Sequence, residues 1–178
     1  PTLLGLDFFR KVVAFQQRHA KGGQRIENDL QTNGTMLDED WARFLKQHRF
    51  LVGLSIDGPR EIHDHYRITK RAEPTFDKVF AAAKMLHKHG VRFNTLTCVH
   101  RYNASKPLDV YRFLRREVGS TYIQFIPIVE IKGFENIAPG AWDTANLPIV
   151  GDPRCHPDHP ESVVTPWSVA ADEYGYFL

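Results

Sequence analysis

Four short strand-like runs, RIENDLQ (25–31), FLVGLSI (50–56), VRFNTLTCV (91–99) and YIQFIPIV (122–129), alternate along this chain with segments of helical period. The helical segments are LGLDFFRKVVAFQQRHA (4–20), LDEDWARFLKQH (37–48), TFDKVFAAAKMLHKHG (75–90), PLDVYRFLRREVG (107–119) and, at the end, VAADEYGYFL (169–178). Their boundaries carry punctuation: Asp38 and Thr75 stand where caps are needed, and Gly90 and Gly119 stand where helices stop. A chain that alternates strand and amphipathic helix in this way needs parallel strands joined by crossover helices, so the fold class is α/β. Periodicity does not separate an open doubly wound sheet from a barrel. FLVGLSI, short and continuously apolar, is expected to be a buried strand.

Bulk properties exclude several partners. Twenty-three basic against 21 acidic residues give a net charge of +2, which supplies no footprint for nucleic acid. The densest basic run, Arg112 to Arg116, reads as a solvated helix face. No apolar run approaches the roughly 20 residues of a membrane span, and neither membrane nor nucleic acid is expected as a partner. With 178 residues the chain is long enough for a domain with a real core. Cys98 and Cys155 are its two cysteines, too few for a disulfide framework, which points to a reducing compartment such as the cytoplasm. The chain opens on proline and stops at YGYFL within a helical pattern, so it is expected to be a central fragment. Three segments are expected: a βα portion over 1–130, an irregular Pro- and Gly-rich stretch over 131–166, and the start of a further helix over 167–178.

In parallel α/β folds ligands bind beyond the carboxyl ends of the strands. Those ends deliver Gln31, Thr32 and Asn33, then Ser55, Asp57 and Gly58, then Thr97, His100 and Asn103, then Gln124, Pro127 and Glu130. Amide, hydroxyl and carboxylate groups at four strand ends suit a polar small molecule. Each also has a plainer reading, since Asn33-Gly34 and Asp57-Gly58-Pro59 are good turn chemistry and Ser55 can satisfy itself on a neighbouring carbonyl. Arg67 is harder to dismiss, because a guanidinium near a strand end is a ready carboxylate fork. The cluster Cys155, His156 and His159 has metal-ligand residue types, but with one thiolate in a Pro-rich stretch it reads as a surface loop. His63 and His65 would face opposite ways if extended. Cys98 is expected to be a small buried hydrophobe, and no phosphate-binding loop is present.

The runs QTNGTMLDEDWARFL, LVGLSIDGPREIHDHYR, TFDKVFAAAKMLHKHGVRFNTLTCV, YIQFIPIVE and SVAADEYGYFL, in this order, resemble the anaerobic sulfatase-maturating enzymes, a branch of the radical S-adenosylmethionine (SAM) superfamily. PTLLGLDFF looks like the tail of that family's GGEPTL motif. The resemblance implies a partial TIM-like (β/α)6 barrel, of which this chain would hold the last four βα units. It implies SAM as cofactor, cleaved at a [4Fe–4S] cluster to a 5′-deoxyadenosyl radical that starts the oxidation of a sulfatase cysteine or serine to Cα-formylglycine. Implied partners are a sulfatase polypeptide with a Cys/Ser-x-Pro-x-Arg motif and an electron donor such as flavodoxin or ferredoxin. By match to SIDG and HDHYR, Ser55 and Arg67 would hold the ribose and methionine-carboxylate region of SAM. Asn33 of QTNG would line the same cleft, and Ile128 after QFIP would meet the adenine. Asp57 is assigned to the turn that places Ser55.

Departures from the family pattern bear on activity. The chain has no CxxxCxxC run to ligate the cluster and no match for the family's catalytic acid, so it is expected to be inactive by itself. Other readings are a different peptide-modifying member of the superfamily, or a cluster-less SAM-binding regulatory protein.

Overall fold

The alternation in the sequence is realised as a four-stranded sheet. A computed structural model describes residues 1–133, 148–149 and 151–178; of the irregular stretch expected over 131–166, residues 134–147 and 150 lie outside the described residues. The strands are β1 (Asp29–Thr32), β2 (Leu51–Ser55), β3 (Arg92–Val99) and β4 (Ile123–Pro127), in the spatial order β1-β2-β3-β4. β1 and β2 pair in parallel with Thr32 beside Leu54, and β2 and β3 pair in parallel with Leu54 beside Thr95. Parallel neighbours require crossovers, and helices supply them. α1 (Leu6–His19) precedes β1, and α2 (Glu39–Gln47) links β1 to β2. α3 (Arg60–Tyr66) and α4 (Phe76–Lys88) lie between β2 and β3, and α5 (Arg101–Ala104) and α6 (Pro107–Arg112) between β3 and β4. α7 (Ala171–Phe177) closes the chain. The sequence reading did not anticipate the short helices α3 and α5.

The chain divides into two compact units, Pro1–Thr97 with Tyr111–Gln124, and Cys98–Val110 with Phe125–Leu178. In the first unit the helices form where the sequence provides both a cap and an apolar stripe. The Asp38 carboxylate accepts from the Trp41 amide at 2.9 Å and starts α2. α2 then buries Trp41, Ala42, Phe44 and Leu45, and α4 buries Val79, Ala82, Ala83 and Leu86. Edge-on aromatic contacts tie α1 to α2, with the Phe9 and Trp41 rings 5.2 Å apart. Thr75 stands at the start of α4 but its hydroxyl does not cap the helix. Asp64, on α3, does so, accepting from the amides of Thr75 at 2.9 Å and Phe76 at 2.8 Å.

The burial of β2 differs from the expectation. Val52 and Leu54 are fully buried, whereas Leu51, Gly53 and Ser55 are only half-buried. One face of the strand packs under the helices, and the other is left to line a cavity.

In the second unit the buried Asn103 organises the exit from β3. Its side-chain carbonyl accepts from the His100 amide at 2.9 Å, and its amide nitrogen donates to the Cys98 carbonyl at 2.9 Å. Arg101 forms an ion pair with Asp158 and reaches Glu173 of α7 at 3.3 Å. The Tyr174 hydroxyl donates to the Phe125 carbonyl at 3.2 Å, and Phe177 packs edge-on against Phe125. Cys98 is half-buried rather than buried, and neither cysteine is in a disulfide. Among the described residues no helix is long and apolar enough to cross a membrane, and no three His, Cys, Asp or Glu side chains gather as a metal site.

Gly34 makes the turn after β1 at φ 76°, and a Cβ there would stand 2.7 Å from Leu54 Cδ1. Both the backbone conformation and the lack of space require glycine. Gly34→Ala is expected to lower stability by about 2–3 kcal/mol, the sum of a left-handed backbone penalty and core overpacking. The midpoint of urea unfolding of the variant against the parent measures it.

Candidate functional site

The turn after β1 places Asn33. The Asn33 side-chain carbonyl accepts from the amide and hydroxyl of Thr35, at 3.3 and 3.0 Å, while the Thr32 hydroxyl accepts from the Gly34 amide at 3.1 Å. Asn33 is therefore a turn residue, as its sequence context allows, and it remains exposed at the mouth of the sheet. Ser55 ends β2 beside it. A cavity of about 450 Å³ at this end of the sheet is lined by Thr2, Gln31, Asn33, Thr35, Met36 and Ser55, among others. Pro1, Leu3 and Met36 make much of its wall apolar, and hydroxyls and amides from the other lining residues stand among them. Gly53, two residues before Ser55 on the same face, lets the neighbouring side chains close over it. A Cβ there would meet Leu96 Cδ1 at 2.9 Å and Gln31 Cγ at 3.2 Å.

Arg67 belongs to a second, adjoining cavity of about 230 Å³, lined by Asn33, His63, Tyr66, Arg67 and Thr75 among others. Asn33 and Thr35 line both cavities, so Ser55, Asn33 and Arg67 occupy one continuous region of the first unit. Ile128 lies in the second unit. There it is half-buried, its amide donates to the Val99 carbonyl at 2.8 Å, and its carbonyl accepts from the Val169 amide at 2.9 Å.

The Arg67 guanidinium is committed to a protein carboxylate. Its Nε and Nη2 donate to the two oxygens of Asp57 at 2.6 and 3.0 Å, a side-on bidentate pair. Asp57 is 2% exposed, and the Arg67 side chain 24%. A buried carboxylate is tolerable only when paired and hydrogen-bonded, and Arg67 provides both. The Asp57 carboxylate thus reaches across from the turn after β2 to the end of α3.

Three residues overlooked as site components surround this pair. His63, fully buried on α3, accepts at Nδ1 from the Asp57 amide at 3.3 Å and meets the Thr75 hydroxyl at Nε2 at 3.1 Å. The Thr75 hydroxyl donates to the Arg67 carbonyl at 2.5 Å. Asp64 holds the start of α4. The signal for α3 was present in the sequence, because Pro59 followed by Arg60, Glu61 and Ile62 is a helix start. On a helix, unlike a strand, His63 turns inward and His65 stays exposed. Burial holds the His63 imidazole pKa down at about 4; the Asp57 carboxylate opposes this and the Arg67 charge adds to it.

Comparison with known proteins places this geometry in context. The model of the radical SAM superfamily matches residues 2–114. A serine-type anaerobic sulfatase-maturating enzyme of Bacteroides thetaiotaomicron is 46% identical over 125 residues, covering 70% of this chain and 30% of that protein. A cysteine-type anaerobic sulfatase-maturating enzyme of Clostridium perfringens is 44% identical over 140 residues, covering 76% and 38%. The chain therefore spans about a third of the length of the curated relatives it matches. Among solved structures, native anSMEcpe with bound AdoMet and Cp18Cys peptide superposes with a TM-score of 0.69 at 44% identity, over 71% of this chain and 35% of that one. Native anSMEcpe with bound AdoMet and Kp18Cys peptide gives a TM-score of 0.70 at 43% identity, over 75% and 38%.

The depressed His63 pKa has a measurable consequence. Its ordinary value is 6.5 and its folded value about 4, so between these the unfolded chain binds a proton that the folded chain does not. Stability is then full above pH 6.5 and falls as pH drops toward 4. Unfolding free energy measured by urea titration is expected to fall by about 2 kcal/mol between pH 7 and pH 5, and His63→Gln is expected to flatten that slope. An unchanged slope in the variant would assign the loss to other groups.

Proposed function

Because the chain belongs to the radical SAM superfamily, we propose that it is the SAM-binding portion of a longer enzyme that oxidises a sulfatase cysteine or serine to Cα-formylglycine. The observation that carries this reading is the pair of adjoining cavities at the carboxyl ends of β1 and β2, joined by Asn33 and bordered by Ser55 and Arg67. Similarity to both serine-type and cysteine-type maturating enzymes supports the substrate class, as do solved relatives with bound AdoMet and peptide.

In this reading each residue has a distinct task. The Ser55 hydroxyl, at the strand end, hydrogen-bonds a ribose hydroxyl. Asn33, its carbonyl occupied in its own turn, presents its amide N–H groups to the cleft. Arg67 meets the polar methionine end of SAM. Its Nε–Nη2 edge already serves Asp57, so a ligand carboxylate is met end-on rather than side-on. The Asp57 charge offsets that of the guanidinium, so Arg67 contributes orientation more than net attraction. In this reading residues 1–130 belong to the barrel portion and 167–178 open the next helix.

The cluster is a separate matter. The chain carries no CxxxCxxC run, and no metal-ligand group is found among the described residues, so the thiolates that hold the [4Fe–4S] cluster belong to the rest of the longer protein. When bound, such a cluster would supply the electron for the reductive cleavage of SAM. A flavodoxin or ferredoxin would supply that electron in the cytoplasm, and a sulfatase chain bearing Cys/Ser-x-Pro-x-Arg would present the residue to be oxidised.

The test uses the full-length protein, prepared anaerobically with its cluster reconstituted, and incubated with SAM, reductant and a peptide of that motif. Formylglycine and 5′-deoxyadenosine by mass spectrometry are the expected products. Deoxyadenosine alone would move the protein to another peptide-modifying branch, and neither product from a cluster-loaded protein would defeat the reading. Ser55→Ala is expected to weaken SAM binding by up to about tenfold, the net worth of one hydrogen bond.

A further inference from the structure

Five hydrogen bonds beside the second cavity close on themselves. The Asp57 amide donates to His63 Nδ1, so the imidazole proton sits on Nε2 and donates to the Thr75 hydroxyl. That hydroxyl donates in turn to the Arg67 carbonyl, and the Arg67 guanidinium donates back to the Asp57 carboxylate. Every donor in the ring points the same way round. The Arg67 backbone is held at both its polar groups, since its amide also donates to the His63 carbonyl at 3.0 Å.

A core position has cheaper occupants than an imidazole. His63 is fully buried, and its ring packs 5.9 Å from Phe76, a setting in which leucine or phenylalanine would gain apolar burial without a polar group to satisfy. What an apolar residue lacks is an acceptor for Asp57 on one side and a donor for Thr75 on the other. Those two contacts hold the Asp57 backbone on one side and, through the Thr75 hydroxyl, the Arg67 backbone on the other, the two anchors of the ion pair. Removing them leaves Arg67 its ion pair but loosens the backbone at both of its ends.

We propose that His63 is a positioning residue of this site, which acts through the Asp57–Arg67 pair to hold the guanidinium in the orientation that meets SAM. This rests on the reading of Arg67 as a SAM contact. Thr75 is the second corner of the same device, and its hydroxyl matters for the same reason.

The test is carried out on the full-length, cluster-loaded protein and reads SAM affinity by equilibrium dialysis, beside the unfolding midpoint and hydrogen exchange at the Asp57 amide. His63→Leu keeps the volume and removes both hydrogen bonds; it is expected to weaken SAM binding about tenfold, the lower end of what loss of an orienting partner brings elsewhere, and to speed exchange at Asp57. His63→Gln, with an acceptor and a donor at similar reach, is expected to recover affinity to within about threefold. Thr75→Val is expected to weaken SAM binding as His63→Leu does, and it decides the matter if His63→Leu does not fold. SAM affinity at the parental level in Thr75→Val or His63→Leu, or equal losses in His63→Leu and His63→Gln, would overturn the proposal. Arg67→Ala is measured in parallel. If it binds SAM as the parent does, the assignment of Arg67 to SAM fails; if it binds poorly while His63→Leu binds normally, the positioning role alone fails.

Discussion

A carboxylate that has almost no access to water sets the terms for the rest of this site. Asp57 follows β2 directly, at a point where the chain leaves the sheet, and an isolated charge there would be prohibitive to bury. Its counter-charge lies ten residues later, so the chain must turn back sharply to deliver it. α3 is that return path. Seven residues of helix carry Arg67 back to the aspartate while turning Ile62 and His63 into the core. The ion pair therefore explains a helix, and the helix brings with it the imidazole and the aspartate that starts α4. The network is dense because one charge was placed deep.

The sheet divides its labour by face. On β2, Val52 and Leu54 pack against helices, while Gly53 and Ser55 turn towards the cavity side. Parallel strands make this division sharp, since side chains aligned across neighbouring strands share a face. Gln31, Gly53 and Asn94 are aligned in register across three strands, and the glycine in the middle makes room for the Leu96 side chain that leans over it.

The fold was largely legible because alternation and caps are local signals. Asp38, Gly90 and Gly119 behave as their sequence contexts imply. Three things were not legible. α3 is too short to show a period and begins at a proline that also reads as a turn. The cap on α4 comes from Asp64 on another helix rather than from the adjacent Thr75, and no pattern within α4 reveals this. FLVGLSI looked buried on both faces because Gly53 and Ser55 are small enough to pass for core residues. For the candidate site, motif and position named Ser55, Asn33 and Arg67, which line the two adjoining cavities, but did not give the pairing of Arg67 with Asp57, since spacing says nothing about which carboxylate a guanidinium will choose. His63 was missed for the same reason as α3.

The segment after Arg67 is fastened at its base. Thr75 holds the Arg67 carbonyl, Ile68 bridges Pro74, and the Thr69 amide donates to the Glu73 carbonyl at 2.8 Å, which leaves Lys70 and Arg71 at the exposed tip. A loop clamped in this way isolates its tip from what lies beneath. Extra residues inserted at 70–71 would add only the slowly growing entropy of a longer loop, about 0.6 kcal/mol for each doubling in length, and would leave the ion pair below undisturbed. Beside a cavity, that makes the tip a place where the chain can be lengthened, shortened or restyled while the residues that line the cavity stay where they are.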